Sequence, residues 1–172
     1  MNITVTPPQA MPLQIKKITL WRREINADPG VFADAITSLT AKGLDLPVLL
    51  RYRHPTDKRR AFVEVYPQPS DTDDTWRADL RAAGFVPRHV PVLLIEGGHP
   101  LEGGRSLAKI IASLKVNIMF LATQVIDGRC GATIGFESEA DAEEAVKSLT
   151  RMTTEAPEER RSLEVKESHA HL

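Results

Sequence analysis

The chain has 172 residues, 42% apolar and 26% charged, with a formal net charge of -1 and a single cysteine. Such a composition describes a globular protein with a core. It excludes an internal disulfide framework, a general electrostatic attraction to nucleic acid or anionic membrane, and a spanning helix, since no apolar run approaches ~20 residues. The opening "MNITVTPPQAMPLQ" lacks the basic start and apolar run of a secretory signal. A reducing, cytoplasmic setting is the expectation.

In chain order, residues 1–15 read as an extended or disordered leader, and Lys16 to Glu24 ("KKITLWRRE") as a strand. "NADPG" follows, with Asp28 placed to cap a helix and Pro29 suited to its first turn. Phe32, Ala35, Ile36 and Leu39 follow the spacing of one buried helical face, and Gly43 supplies the left-handed residue that ends it. Leu44, Leu46, Val48, Leu50 and Tyr52 then alternate as a strand. Pro47 removes a ladder donor there, which predicts an edge position or a bulge. "HPTD" turns the chain into "RRAFVEVY", a third strand. "TDDTWRADLRAAG" is a second helix, capped by Thr72 or Asp73, with Trp76, Leu80 and Ala83 inward and Gly84 closing it. "FVPRH" supplies a fourth strand.

The pattern recurs. "HVPVLLIE" is a strand, "GGHPLEGG" (97–104) a loop, and Leu107, Ile110, Ile111 and Leu114 mark a helix. "VNIMFLATQVI" and "CGATIGF" flank an Asp127-Gly128 hairpin turn, and "SEADAEEAVKSL" is a capped helix with Ala142, Ala145, Val146 and Leu149 inward. Ile18 and Val90, Leu39 and Ile111, Leu44 and Val116, and Asp45 and Asn117 are each 72 residues apart, a domain-sized period. The chain is therefore read as an α+β protein of two βαββαβ ferredoxin-like units in tandem, 16–89 and 90–150. Each unit has an antiparallel sheet with its helices on one face. The second unit lacks an evident last strand, and 162–167 in the tail 151–172 is the candidate for it. The open sheet faces, carrying Leu49, Met119, Leu121 and Val125 or the opposite register, are too apolar to stay wet. The sheets should pack on each other, extend edge to edge, or pair in a homodimer.

"DPGVFADAITSLTAKGLDL" after a strand, and "SLAKIIASLKVNIMFLATQVIDGRCGATIGFESEADAEEAVKSL", resemble a tandem ACT domain over roughly residues 16–150. The resemblance implies a non-catalytic sensor or regulator. It would pair its units within the chain or as a homodimer, act on a regulated protein partner, use no cofactor, and bind a small molecule, commonly an amino acid, between units. Ligand contacts in that family come from the loop before the first helix and the start of the second strand. Carried over, these are Asp28, Gly30 and Asp45, and in the second unit Gly98, His99, Leu101, Gly103, Gly104, Arg105 and Asn117. The chemistry is sound independently: helix N-terminal amides favour a carboxylate, glycine admits close approach, and an Asx side chain accepts an ammonium. Two departures stand out. "GGHPLEGG" replaces the Asp-x-Pro-Gly turn in the second unit, and Asp45 replaces the usual Asn in the first.

Other readings compete. Asp28 as a bare helix cap and Asn117 as a turn residue are the structural alternatives. Gly98 and Gly103 have phosphate-loop spacing, yet Gly104-Arg105 stands where Gly-Lys-Ser/Thr should continue. Residues 51–60, "RYRHPTDKRR", carry five cationic side chains and one Asp, a hairpin that could dock a partner protein and that makes interaction the alternative function. RNA binding ranks third, because "RRAFVEVY" lacks the glycine and stacking aromatics of an RNA-recognition motif and only 5% of residues are aromatic. Cys130 reads as a small buried residue. No His, Cys or carboxylate spacing supports a metal site or a catalytic constellation.

Overall fold

A computed structural model of the chain describes residues 14–68, 75–98, 111–112, 114–126 and 129–151. Residues Ile18–Val90 form one compact unit, and the residues on either side of it form the other. The first is called here the inserted unit and the second the outer unit.

In the inserted unit, β2 (Trp21–Asn26), β3 (Asp45–Arg53), β4 (Arg60–Gln68) and β5 (Val86–Pro87) form a sheet in the order β3-β4-β2-β5. The β2–β4, β2–β5 and β3–β4 ladders are antiparallel. Trp21 stands opposite Val65 and Ile25 opposite Ala61, so these residues share one face. Leu39 of α1 (Val31–Thr40) and Leu80 of α2 (Trp76–Ala82) pack into the same cluster, which puts both helices on that face. Trp21 and Trp76 meet edge-on, with centroids 5.9 Å apart, a geometry worth ~1 kcal/mol beyond the area it buries.

The helix stops are those the glycines predict. Gly43 has φ 78° and Gly84 φ 81°; each follows its helix and donates to a carbonyl of the last turn, Thr40 and Arg81 respectively. The starts differ. α1 begins at Val31 with Gly30 as its N-cap at φ 92° and no side-chain cap, so Asp28 lies two residues too early to do the capping. α2 begins at Trp76 behind Thr75, again without a side-chain cap; Thr72 and Asp73 lie outside the described residues. Pro47 has both predicted effects: β3 is an edge strand, and its register slips between Asp45 and Val48.

The outer unit holds a sheet in the order β1-β6-β8-β7, from β1 (Gln14–Ile18), β6 (Val92–Gly98), β7 (Ile118–Ile126) and β8 (Arg129–Phe136). Its core joins Leu93, Ile95, Ala132 and Ile134 to Ile111 and Leu114, and to Ala142, Ala145 and Leu149 of α3 (139–151). At the start of α3, Ser138 Oγ accepts from Asp141 N at 3.1 Å and donates to Asp141 Oδ2 at 2.6 Å, a reciprocal cap. The β7–β8 ladder ends at Ile126↔Arg129; Asp127 and Gly128, the predicted turn, lie outside the described residues.

The duplication is visible in the ladders. Leu49 and Leu121, 72 residues apart, stand opposite Val65 and Ile134; Trp21 and Leu93, also 72 apart, stand opposite the same two residues. Both edge strands carry a register slip near their starts. These registers put Leu49 and Leu121 on the helix side of their sheets rather than on the open face. Both remain exposed there, at 40% and 46%, because an edge strand has no further strand beside it.

One strand is corrected. Lys16 to Glu24 is not continuous: the chain leaves β1 at Ile18 and re-enters regular structure at Trp21 in the other sheet. In the inserted unit the strand beside β2 is β5; in the outer unit the corresponding slot, beside β6, is held by β1. This is the slot that the sequence assigns to 162–167, a segment outside the described residues.

Candidate functional site

The predicted ligand residues of the inserted unit sit at two separate places. Asp28 and Gly30 are exposed in the turn before α1, and Asp45 is exposed at the start of β3. A ten-residue helix, about 15 Å long, runs between Gly30 and Asp45, so the two do not form one cradle within this unit. Asp45 Oδ1 accepts the Leu46 amide at 2.9 Å, a local contact that steadies the strand start ahead of Pro47. A Cβ at Gly30 would meet nothing within 4 Å; glycine is required there for its φ, and the space in front of the helix is open.

In the outer unit, Asn117 precedes β7 and is exposed. Its backbone is held from both sides: its N–H donates to Asp141 Oδ1 at 3.3 Å, and its carbonyl accepts from Glu137 N at 3.2 Å. Asp141 is thus a side chain that joins the β7 start to α3. Gly98 is the last residue of β6, paired with Arg129, and so belongs to a strand rather than to a loop. His99, Leu101, Gly103, Gly104 and Arg105 lie outside the described residues.

A constellation that sequence reasoning missed lies on the sheet face of the inserted unit opposite its helices. Glu64, 1% exposed, alternates outward between the buried Val63 and Val65. Its carboxylate accepts from Arg22 Nε at 2.7 Å and Tyr52 Oη at 2.9 Å, and Arg88 Nη1 lies 3.0 Å from both its oxygens. Arg22 also donates to Tyr52 Oη at 2.7 Å and stands 4.5 Å from the centre of the Phe62 ring. A carboxylate taken out of water at this depth needs such partners. Burial lowers the Arg22 pKa, but the hydrogen bond and charge of Glu64 outweigh it and the net shift is upward. Burial, with the same carboxylate, pushes the Tyr52 phenol up. The signal available in sequence was weak: one Glu between apolar neighbours on β4 and arginines on strands distant along the chain.

The basic hairpin closes through His54, whose Nδ1 accepts the Thr56 and Asp57 amides at 3.3 Å, and whose ring lies 5.0 Å from that of Phe62. Arg53 Nη1 donates to the Lys58 carbonyl at 2.5 Å. Arg51, Arg53, Lys58, Arg59 and Arg60 are all exposed, and Asp57 is held below the usual carboxylate range by the Arg59 backbone amide and then by the Arg59 charge. Cys130 is buried in the outer core, and burial raises its thiol pKa. Among the described residues no cluster of three or more His, Cys, Asp or Glu could hold a metal, and no helix is long and apolar enough to cross a membrane.

No family model and no curated protein matches the sequence; the fold does match. The regulatory subunit of aspartate kinase from Thermus flavus aligns over 86% of this chain and 99% of its own, with TM-score 0.54 and 16% identity. Protein BT0572 from Bacteroides thetaiotaomicron aligns over 79% and 90%, with TM-score 0.58 and 16% identity. The ligand-free regulatory subunit of aspartate kinase from Thermus thermophilus aligns over 83% and 97%, with TM-score 0.54 and 14% identity. These matches run through both units. The chain has a tandem ACT-like fold. In that fold Asp28 and Gly30 occupy the loop before the first helix of the inserted unit, and Asp45 and Asn117 the starts of the second strands of the two units.

Proposed function

We propose that this tandem ACT-like protein is a non-catalytic regulator that binds a small molecule, an amino acid by chemistry, and transmits the binding to a protein partner. The observation that supports it is coverage: the regulatory subunit of aspartate kinase from Thermus flavus aligns over 99% of its own length with 86% of this chain. The ligand positions carried by this reading are Asp28, Gly30 and Asp45 on the inserted unit, and Asn117 with Gly98, His99, Leu101, Gly103, Gly104 and Arg105 on the outer one. Binding where units meet, within one chain or between the chains of a homodimer, would favour one mutual arrangement by its differential affinity for it. The protein would act in the cytoplasm and need no cofactor.

The test is a thermal-shift screen of the full chain against the common amino acids at millimolar concentration. Ligand at ~100 times its Kd adds ~2.7 kcal/mol of stability. A rise in Tm with one or a few related amino acids, lost in Asn117→Ala or Gly30→Ala, is the expected result; no rise with any of them contradicts the reading.

A second reading rests on the hairpin between β3 and β4, with its five exposed cations, Arg59 92% exposed in its side chain. Here the chain docks an acidic protein surface and the ligand positions are vestigial. Arg59→Glu with Arg60→Glu would then abolish partner capture, while Asn117→Ala would leave it intact.

A further inference from the structure

Arg23 occupies an unusual place. It lies between Trp21 and Ile25 on the helix-facing side of β2, opposite the fully buried Val63, where its strand neighbours are core residues. Its side chain runs out between the helices: a Cβ on Gly84, just past α2, would lie 3.4 Å from its Nε. Burying part of a guanidinium is costly without a partner, and cations nearby have one: Arg22 pairs with Glu64, Arg60 with Glu24 and Lys42 with Asp79. Arg23 makes no ion pair and no side-chain hydrogen bond among the described residues.

Across from it, α1 presents a second stripe beside its core face, Val31, Asp34 and Ser38, at i, i+3 and i+7. Asp34 likewise has no ion pair or side-chain hydrogen bond among the described residues. Arg23 and Asp34 both line one open groove of about 460 Å³, walled by Ser38 on one side and by Ala83 and Gly84 on the other. That volume is in the range of small-molecule sites. Two opposite charges therefore face a common space without closing on each other. Lys42–Asp79, an ion pair between the end of α1 and α2, ties the groove's walls together beside them.

We infer that this inter-helix groove is a binding site for a small zwitterion, an α-amino acid, with Arg23 taking the carboxylate and Asp34 the ammonium group. The planar guanidinium suits a carboxylate bidentately, and the ligand's two charges satisfy both side chains at once. This site is distinct from the loop positions of the sensor reading and stands or falls separately.

The experiment is amide NMR of the full chain, titrated to millimolar concentration with each of the twenty protein amino acids, and with acetate and ethylammonium as half-ligands. At least one amino acid should shift the Ser38, Ala83 and Gly84 amides, with either half-ligand acting more weakly. Arg23→Gln and Asp34→Asn should each weaken binding about tenfold or more, as expected for loss of a charged hydrogen bond. Asp34 is exposed, so Asp34→Asn remains informative if Arg23→Gln folds poorly. Shifts confined to Gly30, Asp45 or Asn117 would overturn the groove site and leave the sensor reading standing. Groove shifts unchanged by both variants would overturn it too, and no shifts at either place would overturn both.

Discussion

At the scale of single residues, the energetics concentrate on Glu64. Its carboxylate is buried because Arg22, Arg88 and Tyr52 replace the water it loses, and removing it takes the counter-charge from two guanidinium groups that are only 29% and 14% exposed. Glu64→Gln keeps the volume and deletes the charge; it should cost about 3 kcal/mol, or a Tm drop of roughly 6–12 °C for a chain of this size, measured by urea and thermal unfolding. Tyr52 gives the same cluster a pH signature. Its folded pKa is raised above the ordinary 10.0, so the stability it contributes is fully present below pH 10 and is lost as pH rises through the higher folded value. Alkaline unfolding of the native chain should therefore steepen above pH 10, and Tyr52→Phe should remove that part of the slope. Cys130 offers a third check. It is 4% exposed and its thiol pKa is raised by burial, so a thiol reagent should label it only at the rate of unfolding.

Glycines decide two features at the scale of elements. Gly135 on β8 lies beneath Phe120 of the slipped β7 edge; a Cβ there would fall 2.0 Å from the Phe120 ring. Gly135→Ala should cost about 1–3 kcal/mol through overpacking, and the loss should shrink in the background of Phe120→Ala; a double-mutant cycle by denaturant unfolding measures the coupling. Punctuation of this kind was legible in sequence. Gly43 and Gly84 end their helices, Pro47 marks an edge strand with a register slip, and the 72-residue offset carries from the helices into the ladders. The break between β1 and β2 was not, because Thr19 and Leu20 contain no proline or glycine to mark it. The one trace is a slip of phase: Ile15, Ile18, Leu20, Trp21 and Ile25 are the apolar positions, and Leu20 and Trp21 are adjacent where strict alternation would separate them. The candidate site was legible only as loops, since its charges act in combination. Arg22, Tyr52, Glu64 and Arg88 come from four segments, and only strand pairing assembles them.

The tandem is nested at the scale of the molecule: a complete unit interrupts another whose sheet includes β1 from the N-terminal side of the insertion. Deleting residues 1–17 should therefore loosen the outer sheet and spare the inserted one. Hydrogen exchange should accelerate about tenfold or more across 92–98, the strand that loses its neighbour, with β2 and β4 unchanged. The proposed regulatory role requires ligand binding to bias how the ACT-like units associate. Sedimentation velocity of the full chain, run with and without each common amino acid at millimolar concentration, tests it most directly. The account predicts that at least one amino acid changes the sedimentation coefficient or the state of assembly, reversibly on dialysis. The same coefficient and assembly across the whole panel would contradict it.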